Sequence, residues 1–85
     1  MFISKRKVIS VLADSVAVCQ RNIRSARRDK SKYGSEWFNY YENKQSCIMN
    51  EILDIARRLE IMTKVIDKSN YLDDKWRKER GAENE

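Results

Sequence analysis

The chain has 85 residues, 18 Lys and Arg against 13 Asp and Glu, two Gly, two Cys, and neither His nor Pro. That length allows one small domain with a thin core, and a composition 41% apolar and 36% charged is too apolar for disorder and too charged for a membrane span. Most metal and triad chemistries lack their residues here, and the scarcity of turn formers favours long helices over a β fold.

Charges follow the first apolar residues in Met1 to Lys7, and Asp14 breaks the apolar stretch Val8 to Cys19. The segment therefore reads as neither a signal peptide nor a membrane span. Both cysteines are then expected as reduced thiols in a cytoplasmic compartment, a host's cytoplasm included.

The spacing of Ile9, Leu12, Val16, Cys19, Ile23 and Ala26 alternates between 3 and 4, which predicts a first helix over about 5–28 with Ser4 as its N-cap. Its last turn carries Arg24, Arg27 and Arg28, suited to the negative end of the helix dipole. Asp29 to Gly34 reads as a turn. Ser35 is placed to cap a second helix over about 36–68, on a seam of Phe38, Tyr41, Gln45, Ile48, Ile52, Ile55, Leu59, Met62 and Ile66. Asn70 can cap a short third helix over about 71–80, stopped by Gly81, with a disordered tail at 81–85; one continuous helix from 36 to 80 is the alternative.

A short turn makes the two long helices antiparallel. Folding back at residue 32 pairs seam positions whose indices sum to about 64. Val16 then meets Ile48, Leu12 meets Ile52, Ile9 meets Ile55, Cys19 meets Gln45, and Phe2 meets Met62. The predicted fold is all-α: one domain over 1–80, a long antiparallel helical hairpin with a short third C-terminal helix. Val8, Val11 and Val18 form a second apolar stripe, and Leu59, Met62 and Ile66 outrun the first helix. Both features predict self-association, with two chains pairing into a dimeric helical bundle.

Residues 1–32 carry nine basic and two acidic side chains, against nine and eleven in the rest. Arg21, Arg24 and Arg28 lie at i, i+3 and i+7 on the face opposite the seam. Arg6 and Lys7 extend that face, Arg27 adjoins it, and Lys30 and Lys32 continue it into the turn. The array is an electrostatic footprint for phosphate or carboxylate, or simply a solvated helix face. Projecting outward, those arginines are expected to tolerate replacement by Gln with little loss of stability.

Tyr33, Trp37, Phe38, Tyr40 and Tyr41 cluster at the start of the second helix. They plug the closed end of the hairpin, or Trp37 and Tyr40 stack on a base. Cys19 and Cys47 fall at one level on adjoining helices, on or beside the seam. They are expected as inert core thiols, although a disulfide is conceivable. Asp54 with Arg58 and Glu60 with Lys64 have the ion-pair spacing of an exposed helix face. Lys75 to Arg80 is a short basic patch interrupted by an acid.

No catalytic group, metal or cofactor is expected. The residues point instead to a small non-enzymatic regulator or inhibitor that binds a partner protein, acidic in part, with nucleic-acid or nucleotide binding through the basic face as the alternative. No membrane partner is expected. Small basic helical hairpins without proline are common among viral and mobile-element accessory proteins, a likeness of type that assigns no residue.

Overall fold

A computed structural model describes residues 3–79. The expected Phe2–Met62 contact, the stop at Gly81 and the tail over 81–85 lie outside the described residues. Within them the chain is all-helical: α1 (Lys5–Arg28), α2 (Lys30–Tyr33), α3 (Ser35–Arg58) and α4 (Met62–Glu79). The first helix runs as its periodicity predicts, and the Ser4 hydroxyl accepts from the Lys7 N–H at 3.1 Å.

The long second helix ends ten residues early. At Leu59 to Ile61 the chain reverses through a Schellman turn. The Ile61 N–H donates to the Ala56 carbonyl at 2.9 Å and the Glu60 N–H to the Arg57 carbonyl at 3.0 Å, with Glu60 at φ 61°. Glutamate is an unusual occupant of that left-handed position, which is why sequence pattern alone runs the helix through it. Ile61 and Ala56 share the same buried cluster, the apolar contact that accompanies such a turn. Glu60 is therefore a turn residue rather than the helical partner of Lys64. Ser69 and Asn70 do not break α4. The buried Ser69 turns its hydroxyl back onto the Ile66 carbonyl at 2.8 Å and stays inside the helix.

With the break moved, α4 is long enough to run beside α1. The first helix lies in the middle, flanked by α3 and α4, which touch each other little. Ala13 and Ala17 are fully buried, so α1 has a second internal face built from small side chains. The core is thin: Ala13, Val16, Ala56, Ile61 and Val65, with Ile9, Leu12, Met49, Ile52 and Leu72 packed around them. The molecule measures 46 × 27 × 21 Å.

The inward face of α3 also differs from the hairpin expectation. An added helical turn, α2, moves the reversal to Gly34, whose φ of 94° and ψ of 162° suit glycine alone. Gly34, not Ser35, caps α3. Asn22 donates to Gln45 at 3.3 Å between the two helices. The inward face of α3 runs through Phe38, Gln45, Met49, Ile52 and Ala56, so it passes one residue beyond the expected Ile48 and Ile55. Phe38, Gln45 and Ala56 are buried, whereas Ile48 and Ile55 are 39% and 49% exposed instead of facing Val16 and Ile9.

The basis for self-association shrinks accordingly. The overhang of Leu59, Met62 and Ile66 does not exist, because those residues belong to the turn and to α4. Val8 packs against the core. Val11 and Val18 remain 51% and 39% exposed.

Candidate functional site

At one end of the molecule the C-terminal halves of α1 and α4 run side by side and parallel. The Arg24 guanidinium forks onto both carboxylate oxygens of Asp73 at 2.8 and 2.7 Å. The Asp73 side chain is 11% exposed and that of Arg24 23%. Hydrogen bonding from Arg24 lowers the Asp73 pKa against the opposing effect of burial. Trp76, one turn along, lies under two guanidiniums, 5.4 Å from Arg21 and 6.0 Å from Arg24.

Arg21 and Arg24 therefore do not project away from the core. The fourth helix, α4, covers the face that a two-helix reading leaves open, and it does so because Ala13 and Ala17 admit it. Arg27 and Arg28 stay exposed. Arg27 approaches Glu42 at 3.7 Å, and Arg28 donates to the Ser25 hydroxyl at 3.3 Å. Across from them α4 supplies Arg77. Arg24, Arg27, Arg28 and Arg77 line one open cleft of about 300 Å³. Sequence reading missed Arg77 as a member of this group. The available signal was the 4-4-3-4 spacing of Ile61, Val65, Ser69, Leu72 and Trp76, which continues one helix face across Ser69 and Asn70.

Other basic positions lie apart. Lys30 and Lys32 on α2 sit over the Phe38 and Tyr33 rings, each at 5.3 Å. Trp37 is held between Tyr33 at 4.8 Å and Tyr41 at 5.6 Å, and with buried Phe38 these rings close the α1–α3 turn. Tyr40 is 68% exposed.

At the opposite end, Arg6 and Lys7 are exposed in the first turn of α1. That turn carries no acidic residue, although the helix dipole favours one there. Beside it lies an apolar groove of about 270 Å³ lined by Ile3, Val8, Val11, Leu12 and the stem of Lys7. A neighbouring depression adds Lys5, Leu59 and Ile61. Val11 and Val18, seven residues apart, continue the exposed face of α1 toward its middle.

Cys19 is buried and free, its thiol pKa raised by desolvation; Cys47 is exposed and free, not the core thiol its place near the seam predicts. On α3, Asp54 takes Arg57 at 2.7 Å and Arg58 at 3.0 Å, and the hydrogen bond from Arg57 leads in lowering its pKa. Among the described residues no group of three or more Cys, Asp or Glu is placed to hold a metal ion, and no helix is long and apolar enough to cross a membrane. The chain thus presents two surfaces with binding chemistry, a basic-rimmed apolar groove and an arginine cleft. No protein-family model, curated protein or solved structure matches it.

Proposed function

We propose that this protein is a small non-enzymatic regulator or inhibitor that docks a partner protein on the exposed face of α1. The observation that carries this reading is the apolar groove of Ile3, Val8, Val11 and Leu12, set beside Lys5, Arg6 and Lys7. Three successive cations at the positive end of a helix disfavour that helix, and water alone has no need of an apolar groove beside them. An amphipathic partner helix with an acidic flank satisfies both halves of the surface. A second copy of this chain fits less well. It would bring another chain of net charge +5 onto a protein already at +5, and it offers no acidic flank for the cationic turn in α1.

Nucleic acid tracked along the basic face has weaker support. Arg21 and Arg24 turn onto α4, which leaves exposed cations at the two ends of α1, about 30 Å apart. The test is a pull-down from native extract, with and without nuclease, using wild type, Val11→Glu/Val18→Glu and Lys5→Glu/Arg6→Glu/Lys7→Glu. A protein retained by wild type and lost with both variants, each still helical, supports docking here. Capture that vanishes with nuclease, or that survives both variants, overturns it.

A further inference from the structure

We infer that the arginine cleft between α1 and α4 is a binding site for a compact phosphoryl oxyanion of the diphosphate type, separate from the docking groove. The Arg24–Asp73 clasp fixes the two helices at an index offset of 49. The same offset puts Arg28 and Arg77 level with each other, one turn farther on, and both line the cleft together with Arg24 and Arg27. Helix dipoles favour cations in the last turn of each helix taken singly. They do not call for the last turns of two parallel helices to bring four guanidiniums to one concavity, against which Asp73 sets one carboxylate and Glu42 a second at 3.7 Å from Arg27. Arg77 also keeps its Nε buried without an acceptor.

The shape selects the ligand. About 300 Å³ is at the small end of ligand sites and too little to follow a nucleic-acid strand. A carboxylate offers two oxygens and one charge, enough for a single guanidinium fork. A diphosphate offers more oxygens and more charge, arranged so that several forks engage it at once. Asp73 takes a hydrogen bond from each terminal nitrogen of Arg24 and Trp76 lies beside it, so Arg24 brings a fixed positive charge to the cleft while the forking falls to the other arginines.

Calorimetric titration of the full chain with pyrophosphate, at fixed ionic strength, tests the site. A nucleoside diphosphate and citrate serve as comparison ligands. Pyrophosphate should saturate at one per chain. A nucleoside diphosphate should bind with like affinity, because the phosphates are what the arginines recognise. Citrate should bind about tenfold more weakly. Arg77→Gln and Arg28→Gln should each weaken pyrophosphate by about tenfold, whereas Arg57→Gln, at the far end of α3, should not. If Arg77→Gln loses helix content, the exposed Arg28→Gln variant decides the matter. Absence of saturable binding, citrate binding as tightly as pyrophosphate, or unchanged affinity in Arg28→Gln overturns the assignment.

Discussion

Replacing Arg24 with Gln strikes an ion pair whose partners are both withdrawn from water. Gln retains helix propensity, so the effect reports the lost clasp rather than the helix. Two charge-assisted hydrogen bonds at 2.8 and 2.7 Å disappear, and Asp73 keeps a carboxylate only 11% exposed with its main partner gone. A fully buried pair broken on one side costs about 3–5 kcal/mol; with Arg24 itself 23% exposed, about 2–3 kcal/mol is the expectation here. For a domain of this size that lowers the melting temperature by roughly 10–20 °C. Arg28→Gln, on the same face but exposed, should cost at most about 1 kcal/mol. The assay is thermal unfolding followed by far-ultraviolet circular dichroism, completed as a cycle with Asp73→Asn. The double variant should be clearly more stable than the sum of the two losses predicts. The pH dependence follows from the same pair. The folded Asp73 carboxyl titrates below its unfolded value, so between the two the unfolded chain binds more protons. Its contribution is complete above the unfolded pKa of about 4 and is lost as pH falls through the folded value. Asp73→Asn should remove that part of the acid destabilisation. An Arg24→Gln melting temperature within about 2 °C of wild type would refute the clasp, and with it the placement of α4.

Glu60→Gly should raise stability by about 0.5–1 kcal/mol in urea titration, because glycine adopts the left-handed turn position without the steric cost that glutamate bears there. A loss of stability would mean that the α3–α4 reversal is elsewhere. A thiol reagent added to the native protein should modify exposed Cys47 rapidly and buried Cys19 only on unfolding. Equal rates for the two would contradict the packing of α1 against its neighbours.

How much of this fold is legible in the sequence depends on where each signal resides. Helix α1 is fully legible, since a cap at Ser4, a strict apolar period and a basic last turn agree with one another. The hairpin is legible as a topology but not in which residues of α3 turn inward. That face depends on how the chain leaves the turn, and nothing in Asp29 to Gly34 announces that Lys30–Tyr33 coils once more before reversing. The α3–α4 break is hidden for a different reason. The reversal uses Leu59, Glu60 and Ile61, none of them a turn former, and the apolar period carries straight through. Tertiary burial of Ile61 and Val65 beside Ala56 outweighs local preference there.

The hidden break also explains why the arginines look solvent-facing in the sequence. A heptad seam accounts for one face of α1, and everything opposite it then looks like solvent. Ala13 and Ala17 lie outside that seam, yet two alanines one turn apart are as clear a packing signal as two leucines, because they let a neighbouring helix approach closely. Once α4 is laid on them, the row Arg21, Arg24 and Arg28 becomes a series with three fates. Arg21 is covered by Trp76, Arg24 is clasped by Asp73, and Arg28 stands at the mouth of a cleft whose far wall is Arg77. One helical period thus passes from ring contact to ion pair to exposed charge within two turns. That gradient makes the Gln substitutions informative in pairs. Arg24 tests whether the helices are joined, and Arg28 tests what the joined helices bind.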